Sequence, residues 1–551
     1  MDQNSRDPFR FAAPTEPPRL VPRGRAARNG AMLVPQALQR PSGVELPRVS
    51  VLRPRGVSAA CGPSAGRNTR RRRGQTGSVW VSGLSSFLVA KQLHERRAAR
   101  AAGSGAEWLA GKQDEREFAS EEDYLKTLEL EGALPKGFQI GCSSLRFVPE
   151  EAKEMGQLPM KLTVLCLDEP SDRVAAVFTQ NAFPGAPVRL GKQRMASQEK
   201  IQAIVVNNKI SNVSPPDDDG GLSASAKVCE ALATSLQLPG GGSSVLPSST
   251  GVIGWRLPVA EMVEALPSAK DLSASSNAVN AAQGIMTTDR YPKLCARSLP
   301  NGGRLVGIAK GAGMIEPNMA TMLCFLMTDV DLPREELQDQ LSECVLKSFN
   351  AISVDGDEST SDTVVLISSQ QCSSPVDPSD FKLALQEVCM DLAAQIVRNG
   401  EGTGHVIRVS VSGANCDQTA SSVAKAVVNG PLFKSAIAGN DPNVGRLIGK
   451  VGQTLGSLGH LGEQMAQNCI CRIGGETIFE NGQFSLDTEK ERRLSGHLKF
   501  AAADCESPYP EHRRVVDVEV ILGGGEGPGK AVVLGSDLTT EYVKINADYR
   551  S

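Results

Sequence analysis

The amino-acid sequence predicts an α/β protein with a layered sheet-and-helix core, on three observations. The stretches Val174–Thr179, Ala203–Val206 and Met322–Met327 are apolar runs of strand length, the pattern of strands buried on both faces. Longer stretches with helical spacing alternate with them: Ser223–Leu236, Leu337–Phe349 and Phe381–Val397. The chain has 551 residues, 40% of them hydrophobic and 22% charged, which is ordinary for a globular protein and leaves room for two or three domains.

Residues 1–115 read as a disordered extension. The first 105 hold 18 arginines and five acidic residues, including the run Arg70–Arg73, and show no sustained periodicity. A basic run can mark nucleic-acid binding, but aromatics are sparse and no binding fold surrounds it, so no nucleic-acid partner is expected. Arg-rich, acid-poor composition at an N-terminus is that of an organellar presequence. The expected address is the mitochondrial matrix, with a plastid-type organelle or the cytoplasm as alternatives. No apolar run approaches the roughly 20 residues that span a bilayer, so no membrane partner is expected.

The thirteen cysteines form no CxxC pair, and the five histidines are dispersed. Cys469 and Cys471, two apart, point to one face of a strand as core thiols. This pattern predicts a reducing compartment and no metal.

Going along the chain, Ser120 followed by Glu-Glu-Asp caps a short helix, and the globular part begins near Pro135–Phe138. Ser249-Thr250-Gly251 closes a turn-rich segment at a strand end. The segment Lys310-Gly-Ala-Gly-Met-Ile-Glu-Pro-Asn-Met-Ala320-Thr321 is a bent loop running into the apolar strand. A cut between Ala320 and Thr321 gives Thr321 a free amine with a pKa of about 7.7 to 8, a general base beside its own hydroxyl. On local pattern alone, Thr321 simply opens a core strand, Lys310 is a solvated surface lysine, Glu401 is a solvated loop acid, and the last residues form a loose tail.

Two further patterns are read as decoys. Val354–Asp362 has acidic spacing near that of a calcium loop, but Thr360 stands where the tight glycine is required. Gly524-Gly-Glu-Gly-Pro-Gly529-Lys530-Ala531 nearly spells a phosphate loop, but Ala531 replaces the magnesium-binding hydroxyl and a strand follows. Its glycines are read as a hairpin.

From Pro135 to Ser551 the chain resembles the ornithine acetyltransferase (glutamate N-acetyltransferase) family, whose motifs occur in the expected order. The resemblance implies a self-processing fold cut into 116–320 and 321–551, each present twice in an α2β2 complex. It implies ping-pong acetyl transfer from N2-acetylornithine to glutamate through acetyl-Thr321, without cofactor, and with acetyl-CoA as a further donor in some relatives. It assigns the oxyanion to Thr250 and Gly251, and substrate contacts to Thr287, Thr288, Lys310, Thr321, Glu401, Asn546 and Ser551. General chemistry adds that a lysine beside the new amine lowers the amine's pKa, and that a carboxylate at Glu401 suits a substrate ammonium. Departures from the pattern fall at Asn207–Asn212, Arg290, Glu358, Ser361, Thr403–His405 and Val444. They leave two other readings open: an N-terminal-threonine hydrolase or aminopeptidase, and an interaction protein with a degraded site.

Overall fold

The computed structural model describes residues 118–268, 271–272, 277–316, 322–502 and 512–547. The expected presequence, Ala320, Thr321 and Ser551 lie outside these. The described strands are β1 (Phe138–Phe147), β2 (Leu158–Ser171), β3 (Val174–Phe178), β4 (Ile201–Asn207), β5 (Val245–Ser249), β6 (Lys293–Ser298), β7 (Arg304–Lys310), β8 (Leu323–Thr328), β9 (Ile352–Ser353), β10 (Thr363–Ser368), β11 (Val406–Gly413), β12 (Ile470–Ile473), β13 (Glu476–Glu480), β14 (Gln483–Phe484), β15 (Val515–Ile521) and β16 (Gly527–Ser536). They form a four-stranded sheet β1-β2-β4-β5, a five-stranded sheet β3-β10-β8-β7-β6, and a seven-stranded sheet β14-β13-β12-β15-β11-β16-β9.

The layering follows from the period of two along a strand. In β8, Leu323, Phe325 and Met327 face the four-stranded sheet, packing with Ile140, Leu165 and Ile204. Cys324 and Leu326 face the other way, into a core with helices Arg334–Lys347 and Pro378–Arg398. One apolar run thus serves two cores, which is why no polar residue interrupts it. The seven-stranded sheet has its own core, under helices Asp417–Val428, Val444–Gly456 and Thr488–Ala502.

Local chemistry sets the helix starts. Ser120 Oγ accepts from the Asp123 amide at 3.2 Å, ahead of an acidic first turn. Asp377 accepts from the Ser379 amide, with Pro378 in the first turn.

The five-stranded sheet takes β3, β6 and β7 from before position 320 and β8 and β10 from after it. β7 and β8 pair antiparallel, from Leu305 with Thr328 to Lys310 with Leu323. The Ala320–Thr321 position therefore falls in the connection between two adjacent strands.

The glycine-rich stretch 524–529 does not form the expected hairpin. β15 and β16 do not pair with each other; both flank β11, β15 parallel and β16 antiparallel. The glycines carry the chain over the end of β11, with Gly523, Gly524 and Gly525 at positive φ. They pass so near Gly413 (φ +78°) that a Cβ there would stand 2.1 Å from the Leu522 carbonyl oxygen. Strand β16 follows this loop.

Candidate active site

Several strand ends converge on one cavity. β5 ends at Ser249, and the next residue, Thr250, donates its amide to the Asn207 carbonyl at the end of neighbouring β4 (3.1 Å). Asn207 Nδ2 also donates to Ser249 Oγ at 2.7 Å. Gly251 follows with φ +119°, where a Cβ would lie 2.1 Å from the Lys209 carbonyl oxygen. No other residue fits this turn without moving the chain. The altered loop Asn207–Asn212 therefore braces the Thr250–Gly251 turn through its backbone, and burial pushes down the pKa of half-buried Lys209.

β7 ends at Lys310, which is 3% exposed and donates from Nζ to Thr250 Oγ1 at 3.2 Å. Burial pulls its pKa down, against the opposing charges of Asp289, Glu401 and Asp362. The next amide, Gly311, donates to Asp289 Oδ1 at 2.7 Å. That same oxygen meets Lys293 Nζ at 2.5 Å, both side chains fully buried, and Lys293 also donates to Asn399 Oδ1 at 2.7 Å. The second oxygen of Asp289 accepts the Thr287 amide at 3.0 Å. Burial alone would raise the Asp289 pKa, but the charges of Lys293 and Lys310 hold it below the usual carboxylate range. Asp289 thereby joins the Thr287 strip to the Lys310 strip.

Glu401 is buried at 7% exposure, not the solvated loop acid its surroundings in sequence allow. Its Oε1 accepts from Thr288 Oγ1 at 2.6 Å and its Oε2 from Asn546 Nδ2 at 2.8 Å. The chain end up to Ala547 is likewise not a loose tail. Helix Thr540–Ala547 is fastened by Tyr542 OH donating to Asp355 (3.1 Å) and preceded by Thr539 Oγ1 donating to the Gly402 carbonyl (2.6 Å). The divergent Thr403–His405 portion has its own tie, His405 Nδ1 to Asp537 Oδ2 at 2.7 Å.

These groups surround about 560 Å³ of empty space, open solvent at its mouth included. Thr250, Gly251, Thr287, Thr288, Lys310, Glu401 and Asn546 all line it. Thr321, Ala320 and Ser551 are outside the described residues. The described chain resumes at Met322, whose amide donates to Asp362 Oδ1 at 2.7 Å and whose carbonyl accepts from Thr363 at 3.2 Å.

Sequence reasoning missed Ile253, Met314, Ser359 and Thr360, which also line the cavity, whereas Ser211 and Ser361, likewise in its lining, stand where the chain departs from the family pattern. The acidic turn set aside as a failed calcium loop was the one signal for Ser359 and Thr360. No sequence signal marked Asp289, Lys293 or Asp362 as buried.

Comparison with known proteins finds similarity over most of the chain. The profile of the ArgJ family matches residues 151–551. The arginine biosynthesis bifunctional protein ArgJ of Pseudomonas syringae pv. tomato is 35% identical over 432 residues, covering 75% of this chain and 96% of that protein. A glutamate N-acetyltransferase of Methanosarcina acetivorans is 36% identical over 423 residues, covering 75% and 99%. A crystal structure of ArgJ from Bacillus halodurans is 34% identical, covers 40% of this chain and 97% of its own, and has a TM-score of 0.35.

Proposed function

This chain belongs to the ArgJ family of arginine biosynthesis, and on that premise we propose that it is a glutamate N-acetyltransferase working through Thr321. The observation that carries this reading is the convergence of Thr250, Gly251, Lys310, Glu401 and Asn546 on one cavity, together with the anchoring of Met322 beside the expected nucleophile.

The chain cuts itself between Ala320 and Thr321. The new amine of Thr321 then takes the proton of its own hydroxyl as Oγ attacks the acetyl carbonyl of N2-acetylornithine. Thr250 and Gly251 stabilise the oxyanion. Because Lys310 already occupies a lone pair of Thr250 Oγ1, the hydroxyl proton of Thr250 is left to donate towards the developing charge. As its bond to the acetyl carbon breaks, the departing ornithine nitrogen takes that proton from the Thr321 amine. The glutamate amine then attacks acetyl-Thr321 and regenerates the hydroxyl. Glu401 receives the side-chain ammonium of ornithine, which displaces the neutral donors Thr288 and Asn546. Acetyl-CoA as a second donor, an α2β2 assembly and a mitochondrial address belong to the same proposal.

The test is acetyl exchange between N2-acetylornithine and labelled glutamate, with intact-mass analysis of the protein. Labelled N-acetylglutamate and a fragment beginning at Thr321 are expected. Free acetate in place of N-acetylglutamate points to the hydrolase, and a single uncut chain with full activity overturns the mechanism.

A further inference from the structure

We infer that Asp362 is a positioning residue for the amine of Thr321, holding that nitrogen through its Oδ2 as an aspartate holds the base of a catalytic triad. The inference rests on the cleavage proposed above.

The argument begins in the sheet. β8 and β10 run parallel, with Leu323 opposite Thr363. The residues just before them, Met322 and Asp362, are therefore neighbours. Asp362 Oδ1 accepts the Met322 amide at 2.7 Å, and the Asp362 carbonyl accepts the Thr179 amide at 3.1 Å, so both the side chain and the backbone of Asp362 are fixed. The residue is 1% exposed, and Oδ2 is buried without a hydrogen-bond partner among the described residues. Such an oxygen is costly to keep. None of the cavity contacts described above uses it.

The charges around it leave the carboxyl unbalanced. Lys310, at the end of β7, draws its pKa down, and Glu358, on the preceding loop, pushes it up. Burial outweighs them and holds the acid well above the usual carboxylate range.

The nitrogen of Thr321 is three covalent bonds from the Met322 nitrogen, so the two lie within about 4 Å of each other in any conformation. In the uncut chain that nitrogen is an amide with one hydrogen. Cutting breaks its bond to the Ala320 carbonyl carbon. Water supplies a hydroxyl to that carbon and a hydrogen to the nitrogen. The product is an amine with two hydrogens, able to become an ammonium beside the carboxyl that lacks a partner. During transfer the Thr321 hydroxyl proton passes to this amine, and the Asp362 carboxylate, accepting an N–H, steadies the resulting cation and aims the nitrogen lone pair at Oγ.

Asp362→Asn tests this, because the amide still accepts from Met322 but carries no charge. The expected result is a cut protein with kcat reduced at least about 10-fold and KM nearly unchanged. The acid limb of its kcat/KM profile is expected to move to lower pH by about one unit, since an amine without a neighbouring carboxylate loses its proton more easily. An unmoved limb overturns the inference, whatever happens to the yield of folded protein. If D362N stays uncut, infrared spectra decide the matter. Uncut Thr321→Ala should show the band of a protonated buried carboxyl, absent from the double variant T321A/D362N and lost in the cut wild type. Persistence of that band after cutting overturns the inference while leaving acetyl transfer intact. A wild-type chain that is never cut takes both readings down together.

Discussion

Strands β15 and β7 use similar residues to opposite effect. β15 alternates along its length: Val516, Val518 and Val520 are buried, while Asp517 and Glu519 occupy the half-exposed face. There they meet Arg408 and Arg472 on adjacent strands, in reach of water. β7 is buried at six of its seven positions and ends in a lysine at 3% exposure. Its neighbour β6 opens on Lys293, fully buried against Asp289. Charges on β15 cost little because solvent still reaches them. Charges at the ends of β6 and β7 persist only where each has a bonded partner, and those ends surround the cavity. The contrast is one of burial: Asp289, Lys293 and Lys310 are held out of water beside the proposed active site, while the charges of β15 stay within its reach.

The largest expected effect removes the nucleophile. Thr321→Ala should abolish cleavage and acetyl transfer together, by intact mass and by exchange assay. If turnover survives, the buried charges have another purpose and the contrast with β15 loses its meaning.

Thr250→Val should leave the chain cut and folded but lower kcat by about 10²–10³, because one oxyanion donor is lost. An unchanged kcat would return Lys310 and Thr250 to a purely structural role.

Stability sharpens the comparison directly. Lys293→Met leaves Asp289 buried without its ammonium and should cost about 3–5 kcal/mol in urea unfolding. Breaking the Arg472–Glu519 pair, with side chains 36% and 43% exposed, should cost no more than about 1 kcal/mol. Comparable losses at the two sites would erase the distinction.

The smallest effect is in the pH dependence of stability. In uncut Thr321→Ala, Asp362 has a folded pKa raised above its unfolded one, mainly by burial. Its contribution is present below the unfolded aspartate value of about 3.9 and is lost as pH rises through the folded value. Asp289, held low by Lys293 and Lys310, acts in reverse: its contribution is present above about 3.9 and is lost as pH falls through its folded value. Urea midpoints of T321A should therefore fall more steeply from acid towards neutral pH than those of T321A/D362N.

What could be read from the sequence was local. The all-apolar run from Met322 announced a strand buried on both faces. Helical spacing announced helices over Phe381–Val397 and Ser223–Leu236, which the structure extends to Pro378–Arg398 and Leu222–Leu236, and the strand-end position of Thr250 was visible from its neighbours. What could not be read depends on partners far along the chain. Glu401 meets Thr288 and Asn546, 113 and 145 residues away, so nothing near it in sequence tells a buried acid from a solvated one. The glycines at 524–529 gave a true turn signal and a false topology, because turn chemistry does not say that β11 lies between the two strands. Asp362 sits in an acidic, hydroxyl-rich turn that reads as surface, and only the register of β8 against β10 buries it.

The threading of the five-stranded sheet has a consequence for how the mature protein comes into being and ends. Cut as proposed, the protein would be two molecules whose strands are shared within one sheet, so dilution alone could not separate them without melting the core. Its denatured state is two free chains, which must find each other again to refold. The melting midpoint of the cut form should therefore rise with protein concentration, while that of the uncut form should not. Under the proposed cleavage, assembly is easy once, when the connection between β7 and β8 is still covalent, and the topology imposes the order of events: folding first, cutting afterwards.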